Sequence, residues 1–376
     1  MPPADPGLAG RWAAIGAPLR RLPRWAAILL LLAAALASVW SAQNVAGFRG
    51  EVKARSERVA AKAHAGDNRL YERTLARMAA GEGYYPAAVS EQRAGNYPVK
   101  PFVTVRQPTL AWLDLQLGLP AMRVLAIALL AANVLAWIAA LELRTILPER
   151  AAAVLMLGVA GVFSFAPAVA LTHEMYAGLL LSLALAVYRP RRWWPALLLA
   201  AGAIAIREIA LPFVLLWAVF ALDRRSWREL GALAVLLALF AAGMALHARA
   251  VTALLLPGDP VSPGWDALAG PALFVGPLVG STLLGALPDW LAGPAAVLPL
   301  LGWLALGGRR GLFAALWFAG HIVLMSVFAR TDNFYWNLLI LPAYCMGLAF
   351  VPRALADLGR AALGRPLAQP AISSTL

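Results

Sequence analysis

The chain has 376 residues, of which 61% are hydrophobic and 14% are charged, and its formal net charge is +13 at pH 7. Soluble domains are about 45–50% apolar and about 25% charged, so this composition excludes an ordinary water-soluble protein and indicates that lipid is the solvent. A positive charge can also indicate nucleic-acid binding, but the arginines here lie in short clusters between apolar runs, which is typical of membrane topology signals, and we predict no nucleic-acid partner.

The apolar runs predict an all-α protein, a polytopic transmembrane helical bundle, because a helix that crosses a bilayer needs about 20 apolar residues. In chain order the runs are 25–41, 120–141, 151–171, 175–188, 195–206, 209–222, 230–247, 271–287, 291–307, 311–329 and 335–351. The runs 195–206 and 209–222 form either a tight hairpin or one bent helix around Arg207 and Glu208.

Six arginine clusters flank these runs. They contain Arg20, Arg21 and Arg24; Arg144 and Arg150; Arg189, Arg191 and Arg192; Arg224, Arg225 and Arg228; Arg309 and Arg310; and Arg353, Arg360 and Arg365. Because cytoplasmic loops carry an excess of Lys and Arg, we place all six clusters in the cytoplasm. The spans between them then come in pairs, which gives about ten spans, and 271–287 becomes a re-entrant or interfacial piece. An eleventh span would put the last cluster outside.

The predicted organisation has three parts: a cytoplasmic N-terminus at 1–24, a transmembrane domain at 25–352 and a cytoplasmic tail at 353–376. The bias towards Ala, Arg, Leu and Gly favours a bacterial inner (plasma) membrane as the location. A cleaved signal peptide is the alternative for 20–37, because arginines precede an Ala- and Leu-rich stretch that contains Ala35-Leu36-Ala37.

The longest polar segment, 42–118, lies between the first two spans and is therefore predicted on the outer side. Basic residues outnumber acidic ones there, which fits either contact with anionic lipid head groups or a site for a phosphate-bearing lipid. Apolar side chains recur on one face of 51–65 and of 68–80, so we predict two short amphipathic helices along the membrane surface. The aromatic stretch 84–108, which contains several prolines, is predicted to be an ordered loop.

Four polar groups fall in the predicted outer connections. They are Asp67; His173 and Glu174; Arg207 and Glu208; and Arg330 and Asp332. Each group also has a purely structural interpretation: helix capping for the first two, an internal ion pair for the third and an interfacial aromatic belt around the fourth. Their common placement on one side is the feature that a simple membrane anchor would not need.

This order of features resembles the GT-C superfamily, the polyprenyl-phosphate-sugar-dependent glycosyltransferases of bacterial inner membranes, over about 25–350. The motifs are an Asp-x-x-x-Tyr element at Asp67 and Tyr71 with later Gly81, Tyr84 and Tyr85; an Arg-x-Pro element at Arg106 and Pro108; a second acidic element at His173 and Glu174; and an Arg–aromatic–Pro ending from Arg330 to Pro342. The second acidic element departs from the more usual Asp-containing form. The chain resembles the compact members, including those that use polyprenol-phosphate mannose or arabinose.

The resemblance implies an inverting transfer of a sugar from a polyprenyl-phosphate donor to a glycan or lipid acceptor on the outer face of the membrane. Asp67 and Glu174 are the implied catalytic acids, with Asp67 as general base or as the residue that orients the acceptor hydroxyl. The implied substrate-binding residues are Tyr71, Arg106, His173, Arg207, Glu208, Arg330 and Asp332. The arginines among them suit the leaving phosphate, whose charge grows in the transition state.

No cofactor is predicted, and no residue is assigned as a metal ligand. A divalent metal at His173 and Glu174 is an alternative, but two ligands do not make a site. The single cysteine, Cys345, excludes an intramolecular disulfide and a cysteine-based metal cluster.

Other functions fit the same pattern. An O-antigen ligase or polymerase also works on the outer face, but usually places its large outer loop late in the chain. A sugar or lipid transporter or flippase would explain Arg207-Glu208 and the Gly- and Pro-rich stretch 257–288, because transporters place polar residues at broken helices. A non-catalytic membrane subunit would explain the spans alone.

Overall fold

The computed structural model describes residues 7–59 and 67–364. Within these residues the regular structure is helical, apart from one isolated bridge between Lys100 and Val261. The prediction of an all-α protein is therefore confirmed.

The α-helices of the described residues are α1 (Leu8–Ala14), α2 (Arg24–Val59), α3 (Asp67–Ala79), α4 (Tyr84–Ala94), α5 (Thr109–Leu117), α6 (Leu119–Leu141), α7 (Leu147–Gly161), α8 (His173–Val187), α9 (Trp194–Ile206), α10 (Leu211–Asp223), α11 (Trp227–Thr252), α12 (Ala272–Gly280), α13 (Asp289–Val297), α14 (Pro299–Leu306), α15 (Gly308–Phe328), α16 (Leu341–Tyr344) and α17 (Val351–Ala362). Short 3-10 helices lie at Leu19–Arg21, Phe102–Thr104, Val162–Phe165, Pro167–Leu171, Glu208–Ala210, Leu283–Ala286, Thr331–Leu339 and Cys345–Phe350.

Six stretches of the described residues are long and apolar enough to cross a membrane. They are Arg24–Lys53, Leu119–Leu141, Leu147–Phe165, Trp227–Thr252, Asp289–Leu306 and Gly308–Phe328. A seventh is added if Thr331–Leu339 and Leu341–Ala362, which meet at a bend of 58°, form one broken span. These helices support a membrane protein, but the prediction of about ten spans is not confirmed.

The apolar runs 175–188, 195–206 and 209–222 account for much of the difference. They form α8, α9 and α10, which have 15, 13 and 13 residues. Helices of this length are about 20–23 Å long, whereas the hydrocarbon core is about 30 Å thick. Composition shows that such residues avoid water, but it does not tell whether lipid or protein covers them. Protein covers α8, because twelve of its fifteen residues are buried.

The segment between the first two predicted spans differs from the prediction at two places. Residues 51–59 do not form a separate surface helix, because α2 continues through them to Val59 without a proline to end it. Residues 60–65 lie outside the described part of the chain. The second predicted amphipathic helix is confirmed as α3. The start of the predicted loop 84–108 is instead the helix α4, whose Pro86 lies in the first turn, where proline is tolerated.

The main core surrounds α8. This helix packs against α6, α9 and the 3-10 segment Thr331–Leu339. Large buried side chains fill the spaces around these helices, among them Trp137, Tyr176, Trp303 and Phe318. Helices α2 and α11 instead leave large apolar side chains exposed, such as Leu36 and Leu239, and a lipid environment makes such exposure favourable.

The two ends of α8 define two ends of the bundle. Just beyond its C-terminal end, the Tyr188 hydroxyl accepts a hydrogen bond from Arg224 at 2.5 Å, and Tyr188 donates one to Glu229 at 2.9 Å. The end of α10 therefore returns to the place where α9 begins, and α9 and α10 form a hairpin rather than one bent helix. We call this the basic end, because Arg310 also lies there and donates to the Ala140 carbonyl at 2.6 Å. The opposite end, where α8 begins, is the Glu174 end.

Candidate functional site

A buried ion pair lies at the Glu174 end. Glu174 is in the first turn of α8, and Arg207 occupies the extended residue between α9 and the turn Glu208–Ala210. The Arg207 Nε donates to a Glu174 carboxylate oxygen at 2.5 Å, and Arg207 Nη1 also pairs with Glu208. Arg207 is 1% exposed and Glu174 is 3% exposed. Charges at this depth are tolerated only when they are paired, so each depends on the other.

A second arginine connects this pair to the segment between α2 and α6. Arg106 donates from Nε to the Tyr71 hydroxyl at 3.2 Å and from Nη2 to the Tyr335 hydroxyl at 2.9 Å. Its Nη2 lies 3.8 Å from the nearest Glu174 oxygen. The Tyr84 hydroxyl donates to the Arg106 carbonyl at 2.6 Å, which fixes the backbone at this point. Arg106 is thus the junction of three parts of the chain.

The side chains of Glu174, Arg207, Glu208 and Arg106 form one cluster. It also contains imidazole and amide groups. The His173 ring packs against the Tyr71 ring with 5.3 Å between centroids. Next to Arg106, the Gln107 side chain donates to the Ile204 carbonyl at 3.2 Å and lies 3.5 Å from a Glu208 carboxylate oxygen. Segments that are far apart in sequence therefore meet at one point.

The charges within this cluster balance, with two arginines against two glutamates. Arg207 is held tightly by both carboxylates, whereas the Arg106 guanidinium bonds chiefly to neutral hydroxyls and lies farther from Glu174. An incoming phosphate would therefore meet less competition at Arg106 than at Arg207.

The structure brings together six of the nine residues that the sequence predicts for the site: Tyr71, Arg106, His173, Glu174, Arg207 and Glu208. It does not bring in Arg330 and Asp332. Arg330 is half-buried and its Nε has no hydrogen-bond partner, while Asp332 is exposed. Asp67 is the first residue of α3, one helical turn before Tyr71, and its side chain lies outside the described part of the structure.

Sequence reasoning missed Tyr335, although it lies in the aromatic stretch after Arg330. Its hydroxyl accepts from Arg106, and the Arg106 guanidinium carbon lies 5.7 Å from the centre of its ring. This contact brings the segment Thr331–Leu339 to the site in place of the two charged residues that were predicted.

A small cavity of about 40 Å³ adjoins the cluster, between α3, α4, α5 and the start of α8. Its polar lining consists of Tyr71, Thr74, Tyr84, Gln92, Thr104, Arg106, Asp114 and His173. Sequence reasoning also missed Asp114. The signal was present, because Asp114 is the one charged residue on the largely apolar helix α5 and precedes a span. Burial raises the pKa of the Asp114 carboxyl to about 7.

A glycine separates α5 from the span that follows it. Gly118 has φ +80°, a left-handed conformation that other residues rarely adopt, and it lets the chain end α5 and start α6 in a new direction. This break turns α5 and its carboxyl towards α3 and α4. As for metals, the described residues contain no group of three or more His, Cys, Asp or Glu side chains placed to hold an ion.

Comparison of the chain with protein-family models, with curated proteins and with solved structures gave no match in any of the three. The functional interpretation therefore depends on the motifs and on the geometry of this site.

Proposed function

We propose that this chain is an integral membrane glycosyltransferase that moves a sugar from a polyprenyl-phosphate donor to an acceptor hydroxyl. The observation that carries the proposal is the convergence of Tyr71, Arg106, Glu174 and Arg207 at one end of a helical bundle. A lipid-linked sugar phosphate offers an anion, a sugar ring and a long apolar tail. Cations would bind the anion, aromatic rings would bind the sugar ring, and lipid-facing helices would bind the apolar tail.

The residues have distinct proposed roles. Arg106 binds the leaving phosphate, because carboxylates hold it less closely than they hold Arg207, and charge-assisted hydrogen bonds strengthen as the phosphate gains charge. Glu174 positions Arg106 and Arg207. Tyr71 and His173 contact the sugar. Asp67 orients or deprotonates the acceptor.

The proposed location is the inner membrane of a bacterium, with the Glu174 end on the outer face and the basic end in the cytoplasm. The positive-inside rule supports this orientation, because members of several arginine clusters, including Arg144, Arg224, Arg310 and Arg353, lie at or near the basic end. The acceptor is then a glycan or lipid of the cell envelope.

Transport is the second candidate, because one observation favours it. In the described chain a helix pair is broken between Leu339 and Leu341, and the charged Arg207 and Glu208 lie in the turn between α9 and α10; broken helices and charged residues inside apolar sequence are features of secondary transporters.

One assay separates these functions. The purified protein is reconstituted into liposomes with radiolabelled polyprenyl-phosphate mannose or arabinose and an extract of envelope glycolipids. We expect label to move from the donor to the extract, and Arg106→Met to reduce this transfer at least tenfold. Intact donor that crosses the bilayer without transfer would favour transport. Label that neither moves nor crosses would contradict both proposals.

A further inference from the structure

Two residues that line the cavity beside Arg106 each carry a buried hydrogen-bond acceptor that has no partner. One is the Oε1 of Gln92, on α4, and the other is the Oδ1 of Asp114, on α5. Gln92 is 7% exposed and Asp114 is 4% exposed. A buried polar atom without a partner costs about 1–3 kcal/mol, so two of them in one cavity need an explanation.

The orientation of the Gln92 amide is fixed by its surroundings. Its Nε2 donates to the carbonyls of Pro98 and Thr104, each at 3.1 Å. A flipped amide would place its oxygen against these two carbonyl oxygens. The Gln92 oxygen is therefore the free group, and it can only accept.

Asp114 receives no compensating charge from the cluster. The Arg106 guanidinium also lines the cavity, but its donors are directed to Tyr71, Tyr335 and Glu174. Two acceptors, one of them a carboxyl group, call for a ligand that donates hydrogen bonds. A phosphate has no such donors when ionised and is repelled by a carboxylate, whereas the hydroxyls of a sugar or polyol fit both acceptors.

The volume of the cavity limits how much of a ligand can enter it. A volume of about 40 Å³ exceeds the roughly 10–15 Å³ that one water molecule needs, but it is far below the roughly 300–1,000 Å³ of pockets that enclose a whole ligand. The cavity therefore has room for the hydroxyl end of a ligand whose remainder lies outside it.

We propose that this cavity binds the reacting hydroxyl of a sugar or polyol acceptor, with Asp114 and Gln92 as its hydrogen-bond acceptors. We call it the hydroxyl cavity. The proposal rests on the proposed function and adds to it the place and the chemical class of the acceptor. It also assigns the proton transfer to Asp114 and leaves Asp67 with orientation of the acceptor.

The chemical step is balanced. The acceptor oxygen forms a bond to the anomeric carbon of the donor sugar, and its proton moves to the Asp114 carboxylate. The bond between the anomeric carbon and the phosphate oxygen breaks, and its electron pair leaves with the phosphate, next to Arg106. Asp114 then releases the proton to solvent.

Binding is tested first without any reaction. Infrared difference spectra of the full chain in nanodiscs are recorded at pH 5.5 with glycerol as a hydroxyl probe and with 1,2-dimethoxyethane, which has no donors. The band that disappears in Asp114→Asn belongs to the protonated Asp114. We expect glycerol to shift this band saturably and 1,2-dimethoxyethane to leave it unchanged. Gln92→Met should weaken the glycerol response about fivefold, as one lost hydrogen bond predicts, and Asp266→Asn, at an exposed acid, should not.

Equal responses to both compounds, a response that does not saturate, or no response to glycerol would overturn the proposal and leave a cavity for water only.

The second measurement uses the radiolabelled donor. Asp114→Asn should bind the donor within twofold of the wild type and lose at least 100-fold in transfer, while Asp266→Asn should keep transfer. If the wild-type protein transfers no sugar, the proposed function is contradicted. The glycerol experiment would still test hydroxyl binding in the cavity independently. Normal transfer in Asp114→Asn would overturn the assignment of the proton.

Discussion

At the scale of single residues, the ion pair between Glu174 and Arg207 has both a structural and a functional interpretation. Arg207→Met should destabilise the protein by about 3–5 kcal/mol, because it leaves Glu174 buried without its cation. In the double variant Glu174→Gln and Arg207→Met, much of this loss should be regained, since position 174 no longer carries a buried charge without its cation. Thermal unfolding in detergent measures these differences, with the exposed Arg228→Met as control.

Transfer activity then separates the two interpretations of this pair. If Glu174 positions Arg106 in the site, the double variant should regain stability but not transfer activity. A double variant with normal transfer would reduce the pair to a structural role.

Because Asp114 is buried, we expect it to make the stability of the protein depend on pH. Burial raises the pKa of this carboxyl to about 7 in the folded protein, against about 3.9 in an unfolded chain. The folded state therefore holds the Asp114 proton more tightly, and the contribution of Asp114 to stability falls as the pH rises from about 4 to 7. An asparagine at this position does not titrate, so the Asp114→Asn variant lacks this pH dependence. Its melting temperature should exceed that of the wild type, and the difference should grow from about pH 4 to 7 and stay constant above about pH 7.

Melting temperatures measured from pH 4 to 8 for wild type, Asp114→Asn and Asp266→Asn test this sign. Asp259 does not interfere, because a hydrogen bond from Arg93 lowers its pKa to about 2, below this window. A difference that shrinks as the pH rises would mean that Asp114 is stabilised in its charged form.

At the scale of helices, the closest approach near the site is made at Gly178. A Cβ added to this residue would lie 2.4 Å from the Leu338 carbonyl oxygen, so α8 packs directly on the backbone of Thr331–Leu339. Gly178 lies one turn after Glu174 on the same face. Gly178→Ala should separate α8 from the segment that carries Tyr335, and so lower both the melting temperature and the transfer rate.

Gly320→Ala on α15 is the matched control, because a Cβ there meets nothing within 4 Å. Its melting temperature should equal or slightly exceed that of the wild type, since alanine favours a helix. If both variants behave alike, the contact at Gly178 is not what holds these elements together.

The same scale shows what the sequence could predict. Charged residues inside apolar sequence are conspicuous, so the sequence alone predicts Glu174, Arg207 and Glu208 as site residues. Tyr335, Gln92 and Asp114 were missed because their importance comes from neighbours in space. The predicted number of about ten spans is not confirmed for a related reason: hydropathy does not distinguish α8, which protein covers, from α11, which leaves apolar side chains exposed.

At the scale of the whole molecule, the proposed function requires the two ends of the bundle to lie on opposite sides of the membrane. Helix α11 has 26 residues, which at 1.5 Å per residue is about 39 Å, enough to cross the bilayer. Arg228 is exposed near its start, and the exposed Asp266 lies in the connection that follows it. The single native cysteine, Cys345, is buried, so introduced cysteines can be labelled with little background.

Asp266→Cys should react with an impermeant maleimide in intact cells of the native or a related bacterial host. Arg228→Cys should react only after the membrane is permeabilised, because the arginine clusters are retained in the cytoplasm. The reverse pattern would place the Glu174 end in the cytoplasm and contradict transfer on the outer face. Reaction of both residues in intact cells would mean that α11 does not cross the membrane.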